Sequence, residues 1–405
     1  MTATAPGKLR VMDWENINLN DIADTNVFST PQWTEIIENL HQAPASVRRT
    51  IIREHSKTVL DRLHSLEIEL NKRLILKEEI VRMMFVTAIA QQPMLLIGEP
   101  GTAKSLLVSK FCEGLGIGAI SEGRQNTFFH YLLHKFTEPD ELLGVINLEK
   151  LKSPDHPSFE RLTEGTIKDA EVIFLDEVFK ANSAILNTLL SILNERRVYE
   201  GGKIIKAKAR LIFGAANEIP PVHQLGELKA FFERFTVRMK SEFVPYQDGH
   251  VKASEGRRKL LKEGWKAESV KLQSSYDPEF SILDHPASLN DLLLSTWIVT
   301  ESFGGSESLN PLFPFEDDYH MMVMELLKFN KKICSIDDRK FIKLFVLARA
   351  HAFFRGNHKP DSEDLVVFTH IWNDIRNKEL LEREVYQIME SIRQKHKQKP
   401  SKKKT

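Results

Sequence analysis

Residues 1 to 29 are polar and carry no apolar periodicity, so they read as an arm that frays or orders on contact. From Thr30 the apolar positions fall three and four apart. Trp33, Ile36, Ile37 and Leu40 follow a cap-like Thr30 and Pro31, and Val47, Ile51, Ile52, Val59, Leu60, Leu63 and Leu66 continue the pattern. That period predicts helices over 30–42 and 46–70. "NKRLILKEEIVRMMFVTAIAQQ" predicts a further helix, with Leu76, Ile80, Met83 and Met84 on one side.

The period then changes. "PMLLIGEPGTAKSLLVSKFCEGLG" reads as a short buried strand, a Gly/Pro turn and an amphipathic helix with Leu106, Leu107 and Phe111 facing inward. Apolar runs predict strands at 126–133, 171–175 and 211–213, and another within "FTVRMKSEFV". "SAILNTLLSILNER" has the helical period, and "RRVYEGGKIIKA" reads as a hairpin with Gly201 and Gly202 at its tip. Strands alternating with helices predict an α/β domain built on a parallel sheet. After about residue 246 only helical patterns remain, at 252–270, 286–303, 316–330, 337–355 and 361–394. The expected division is an N-terminal arm with helices (1–55), an α/β core (56–245), an all-helical C-terminal lid (246–390) and a basic tail (391–405) expected to be disordered.

A length of 405 residues suits two or three domains. Charge changes the picture at one end. The formal net charge is zero, but the last fifteen residues hold seven Lys and Arg and no acid, which leaves 49 basic against 56 acidic residues elsewhere, a net of −7. A body of that sign argues against a dedicated nucleic-acid-wrapping surface. Cys112 and Cys334 sit in apolar, helix-like contexts and read as core residues, with no zinc spacing around them. The start of the chain has no apolar signal segment, and no run approaches the ~20 apolar residues of a spanning helix. A cytoplasmic, reduced setting is the expectation.

The candidate chemistry begins at "LIGEPGTAKS", residues 96–105. A phosphate-binding loop needs converging backbone N–H groups, a helix that starts at the phosphates, a lysine for the terminal phosphates and a hydroxyl for Mg²⁺. Gly98, Gly101, Lys104 and Ser105 meet those demands in outline, but Ala103 stands where the common pattern has glycine. Ala103 is tolerable at the start of a helix if its φ is negative, which is the expectation. "VIFLDE" ends an apolar run in Asp176 and Glu177. Two acids there are costly unless they face a cation or a polar cleft. One can hold Mg²⁺ and the next can activate water, although an acidic cap on the following helix is the plainer alternative. "GAANE" brings Asn217 to the end of another strand, where an amide can hold that water.

The order "GEPGTAKS", "VIFLDE", "GAANE", "FFERF" and a helical region resembles the AAA+ ATPases. More narrowly, "FTEPDELLGVINLEKL", "FERLTEGTIKDAEVIFLDEVFKANSAILNTLLSILNERRV" and "LIFGAANEIP" resemble the MoxR family, near its RavA-like branch. The resemblance implies an AAA+ P-loop domain with a helical lid, using ATP and Mg²⁺. It implies that Gly98, Glu99, Pro100, Gly101, Thr102, Ala103, Lys104, Ser105 and Leu106 form the nucleotide loop, with Ser105 and Asp176 at the metal. Glu177 becomes the general base, Asn217 the sensor 1 residue and Arg234 an arginine finger acting on a neighbouring subunit. The alternative for Arg234 is a local ion pair with Glu233 or Glu227. Arg339, in "SIDDRKFIKL", looks like the sensor 2 arginine. "GVINLEKLKSPDHPSFERLTEG" reads as an inserted hairpin with a Ser-Pro-Asp-His-Pro turn. It and the "RRVYEGGKIIKA" hairpin face the pore in such rings, which makes Lys203 and Lys206 candidates for substrate contact. His130 and His134 read as packing or surface residues.

The leading expectation is therefore an ATP-driven remodelling chaperone. It would be a homo-oligomeric ring, a hexamer in family terms, acting on a protein client with a separate von Willebrand factor A domain partner. A nucleic-acid-dependent motor, as in helicase-like relatives, is the alternative, and a nucleotide-gated scaffold without turnover is a third.

Overall fold

The computed structural model describes residues 31–117, 128–152, 158–200, 202–219, 226–244, 251–273, 287–301, 315–329, 333–357 and 359–398. Helices α1 (Pro31–Asn39), α2 (Ala45–Arg73) and α3 (Glu78–Ile89) lead into β1 (Met94–Ile97) and α4 (Lys104–Gly114). Then come β2 (Phe128–Leu132), α5 (Pro139–Leu143), α6 (Leu148–Leu151), β3 (Val172–Asp176) and α7 (Ser183–Glu195). β4 (Arg197–Glu200), β5 (Lys203–Lys206), β6 (Leu211–Ala216), α8 (Gly226–Arg234) and β7 (Val237–Lys240) complete the mixed region. The remaining α-helices are α9 (Val251–Gln273), α10 (Leu289–Glu301), α11 (Phe315–Lys328), α12 (Asp338–Phe354) and α13 (Lys378–Gln398).

Five strands form one sheet in the order β2-β3-β6-β1-β7, and every pairing is parallel. β1, β6 and the apolar residues of β3 are buried throughout, as parallel strands covered on both faces require. The fold is therefore α/β with a helical C-terminal part. Because β3, β6 and β1 are neighbours, the turns leaving their C-terminal ends meet at one edge, where open parallel sheets bind ligands. Aromatic packing ties that edge to the lid: Phe111 of α4 stands edge-on to Phe85 at 4.9 Å and to Phe213 at 5.8 Å, and Phe85 stacks on Phe354 of α12 at 5.1 Å. Arg238 of β7 is wholly buried and donates to the carbonyls of Ile371 at 3.0 Å and Trp372 at 2.7 Å. A buried guanidinium is costly without such acceptors, so these bonds fix the lid loop on the sheet.

Several expected elements differ. The helix expected at the Asn71 segment is broken: α2 ends at Arg73, Leu76 adopts φ 57° with its side chain exposed, and α3 starts at Glu78. α2 itself runs unbroken through the division drawn at residue 55. Leu107 and Phe111 of α4 are buried as expected, together with Val108 and Cys112, but Leu106 is exposed. The inserted "hairpin" has only one bridge, Ile146 to Arg161, among the described residues. The Asn147 side chain accepts from the N–H groups of Glu149 and Lys150, which curls the chain into α6 instead; the turn at 153–157 lies outside the described residues. The helix expected over 361–394 is a 3₁₀ segment, Ser362–His370, then a break, then α13. Ile371 and Trp372 are fully buried at that break, and Asp374 caps the next turn by accepting from Arg376 N–H. The expected disordered tail is helical as far as Gln398, because Ile392 continues the buried stripe of Leu381, Val385 and Met389. The arm at 1–29 and residues 399–405 lie outside the described residues.

Candidate nucleotide site

β1 delivers Gly98 to the sheet edge. A Cβ there would lie 2.0 Å from the Ser241 carbonyl oxygen, so only glycine lets the loop pass that close to the end of β7. Ser241 closes the loop from the other side: its N–H donates to Ile97 O at 2.7 Å and its hydroxyl to Thr102 O at 2.7 Å. Thr102 is buried and donates to Glu99 O at 2.8 Å. Lys77 reaches in from the α2–α3 turn to donate to Ser241 Oγ at 3.1 Å.

Ala103 corrects the sequence expectation. Its φ is +68°, left-handed, where a negative angle was expected. The residue is not the first helical residue but the cap before Lys104, and the chain must turn back on itself there to start α4. Gly101 is also left-handed, at φ +84°. Alanine in that region costs about 1–2 kcal/mol relative to its ordinary conformations, so the loop stores strain at the residue that aims the lysine.

Lys104, buried, donates to Gly98 O at 2.6 Å, Glu99 O at 3.1 Å and Asn217 Oδ1 at 2.8 Å. Burial lowers its pKa, while Asp176 and Glu177 pull in the other direction. The Asn217 amide in turn donates to Glu177 Oε1. Ser105 Oγ donates to Asp176 Oδ2 at 2.9 Å, and the other Asp176 oxygen accepts from the Glu177 N–H at 2.9 Å. Glu177 itself sits at φ 54°, a second left-handed residue, linked through Asn217 to Lys104, the residue that follows Ala103. Lys104, Ser105, Asp176, Glu177 and Asn217 thus form one connected polar set at the ends of β1, β3 and β6.

Beside this set opens a cleft of about 530 Å³, lined by the loop, by Asn217, Glu218 and Ile219, by the end of β7 with Phe243, and by the lid residues Asn373 to Arg376. That volume suits a ligand of nucleotide size. The loop, its lysine and the paired Ser105 and Asp176 oxygens suit a polyphosphate with a hard divalent cation. Leu106, expected in the nucleotide-contacting loop, points to solvent.

Arg234 and Arg339 are not on this cleft. They line a separate recess between the end of α8 and the start of α12, together with Lys340 and Lys343. Among the described residues Arg234 forms no ion pair with Glu233, the Glu227 side chain lies outside the described residues, and the Arg234 Nε is buried without a partner. Sequence reasoning missed Asp374 and Arg376, which form a forked ion pair on the lid wall of the cleft. The run Asn-Asp-x-Arg between Trp372 and Leu380 was the available signal, since it breaks the apolar period and supplies a cap. Of the candidate contact residues, Lys203 pairs with Glu160 at 3.2 Å, and His130 stacks on Phe174 at 4.7 Å. No helix among the described residues is long and apolar enough to cross a membrane.

Comparison with known proteins bears on this geometry. Residues 61–285 match the family model described as the MoxR domain in the MoxR-vWA-beta-propeller ternary systems. An uncharacterized protein of Methanocaldococcus jannaschii is 30% identical over 335 residues, 82% of this chain and 75% of the relative. A second uncharacterized protein of that organism is 31% identical over 314 residues, 77% of this chain and 72% of the relative. The crystal structure of a candidate ATPase from Cytophaga hutchinsonii shares the fold, with a TM-score of 0.55 and 18% identity over 85% of this chain and 96% of that one.

Proposed function

The chain belongs to the MoxR family of AAA+ ATPases, and we propose that it hydrolyses ATP at sites shared between copies in a ring, a hexamer in this reading, to remodel or mature a protein client in the cytoplasm. Within this proposal the chain stands near the RavA-like branch. The matched family is described by systems that join a MoxR domain to a vWA component, which supports a separate von Willebrand factor A domain partner. Exposed apolar side chains on the insert and hairpin, Leu148, Phe159, Tyr199 and Ile204, support contact with protein over nucleic acid.

The observation that carries the proposal is the convergence of Lys104, Ser105, Asp176, Glu177 and Asn217. In the proposed reaction Lys104 exchanges its bonds to Gly98 O, Glu99 O and Asn217 for the terminal phosphates of ATP. Glu177 accepts a proton from water as the water oxygen bonds to the γ-phosphorus, and the bond from that phosphorus to the bridging oxygen breaks to leave ADP. Asn217, already bonded to Glu177, holds that water in line. Mg²⁺ supplies positive charge to the phosphates when bound, and the oxygens of Ser105 and Asp176 are the donors that would hold it. Arg234 and Arg339, which line a recess apart from their own cleft, are proposed to serve the nucleotide of the adjacent copy.

The Glu177→Gln variant tests this reading. It is expected to bind ATP with near-normal affinity, to lose hydrolysis by at least about a hundredfold, and to retain a purified vWA-domain partner in the presence of ATP. Undiminished hydrolysis would remove Glu177 as the base. Stimulation of the wild-type rate by single-stranded DNA, with none by a protein partner, would favour the nucleic-acid motor instead.

A further inference from the structure

The recess beside α8 holds more positive charge than two arginines. Arg339 and Lys343 stand four residues apart on α12, so both side chains lie on one side of the helix, and Arg234 faces them from the end of α8. A like-charge pair at that spacing destabilises a helix unless something offsets it. Among the described residues none of Arg234, Arg339 or Lys343 forms an ion pair, and the Arg234 Nε is buried without a hydrogen-bond partner. Glu233 and Asp337 also line the recess, and its four cations outnumber these two acids. Glu233 is exposed, and Asp337 is the cap of α12, accepting from the Lys340 N–H at 2.6 Å. Lys340, the fourth cation on the wall, is bonded to Ser335 O at 2.8 Å.

We propose that Lys343 is a catalytic residue for the nucleotide of the adjacent copy: its ammonium joins Arg234 and Arg339 in binding the terminal phosphates and offsetting the charge that develops there during hydrolysis. This rests on the shared-site reading above. Three cations, Arg234 and Lys343 half-buried and Arg339 exposed, converge on a narrow recess of about 30 Å³, and a polyphosphate presented at its mouth by the adjacent copy carries more charge than one arginine can balance. Partial burial strengthens each interaction by excluding water. The electrostatics agree: burial, then the charges of Arg196, Arg234 and Arg339, push the Lys343 ammonium down to about 8. That is the condition of a cation among cations, and an arriving polyphosphate relieves it.

The test is steady-state ATP hydrolysis by the full-length chain at assembling concentrations, with wild type, Lys343→Gln, Lys343→Arg and Arg234→Ala in parallel. Fluorescent-ATP affinity and circular dichroism are recorded for each. Lys343→Gln is expected to lower kcat on the order of a hundredfold with ATP affinity at its own P-loop unchanged, and Lys343→Arg to recover most of the rate. Full activity in Lys343→Gln with loss in Arg234→Ala removes Lys343 while leaving the shared site standing. Full activity in both removes the shared site itself. If Lys343→Gln loses fold or ATP affinity, a Lys343→Arg variant that is folded yet as slow as Arg234→Ala contradicts the proposal, and one at near wild-type rate supports it. Activation of wild type by added inorganic phosphate, abolished by Lys343→Gln, would make the recess a free-anion site and overturn the proposal.

Discussion

Two charged regions of this molecule are built in opposite ways. In the cleft, cation and anions answer one another: Lys104 is bonded to Asn217, Asn217 to Glu177, and Ser105 to Asp176. In the recess, Arg234, Arg339 and Lys343 gather without an ion pair among the described residues. Lys104 in the cleft is buried, and in the recess Arg234 and Lys343 are half-buried while Arg339 is exposed, so a desolvation cost falls on both regions. Only the first meets that cost with its own chain. The difference suggests half-sites: a cleft that supplies the loop, the base and the water-holding amide, and a recess that supplies positive charge to another molecule's cleft. In the proposed ring one surface meets the other head to tail, the heterologous contact that closes cyclic assemblies.

The comparison breaks first at the cleft. Lys104→Ala removes the one ammonium that bridges the loop to Asn217, and ATP binding by isothermal titration is expected to weaken at least about a hundredfold. Binding within about threefold of wild type would show that the lysine is not the phosphate ligand. A smaller effect sharpens the comparison at the recess. Arg339→Gln relieves a like-charge pair, so thermal denaturation is expected to show equal or slightly higher stability, by about 0.2–0.5 kcal/mol, while hydrolysis falls. A clear loss of stability would mean that Arg339 is internally paired after all.

Strain gives a separate effect on stability. Ala103→Gly relaxes a left-handed alanine but loosens the unfolded chain, and the two terms nearly offset, leaving a gain of up to about 1 kcal/mol with ATP affinity retained. A loss of more than about 1 kcal/mol would mean the alanine methyl makes packing that outweighs its strain. A pH-dependent change is expected from Lys340 at the recess wall. Its folded-state pKa is pushed down to about 7, below the ordinary 10.5, by burial first and then by Arg238. Below pH ~7 both states carry the charge and the folded state bears its full burial cost; from there toward the ordinary value the unfolded chain holds a proton the folded chain has released, so stability rises with pH. Urea denaturation of Lys340→Met should lack that part of the rise, and an unchanged pH profile would contradict the assignment.

Much of this was legible in the chain itself. Continuous apolar runs such as "VIFL" and "LIF" announced buried parallel strands, because strands covered on both faces cannot alternate. The polar residues that end those runs, Asp176 and Asn217, then had only the sheet edge to occupy. What was not legible depends on the path of the backbone or on distant partners. The sign of φ at Ala103 follows from where the loop must turn, which composition does not encode. The break at Trp372 follows from Arg238 drawing on the carbonyls of 371 and 372, a contact across more than a hundred residues of chain. The placement of Arg339 beside Arg234 likewise follows from how the lid docks on the sheet.

The shared site is tested most directly by mixing two variants that each lack one half. Lys104→Ala keeps the recess and loses the cleft; Arg234→Ala keeps the cleft and damages the recess. Each alone should hydrolyse ATP slowly. Mixed in equal amounts under conditions that let subunits exchange, they should recover activity at the roughly one quarter of interfaces that pair an intact cleft with an intact recess. A mixture no faster than the mean of its two components, with exchange verified, would show that each copy completes its own site and would contradict the account.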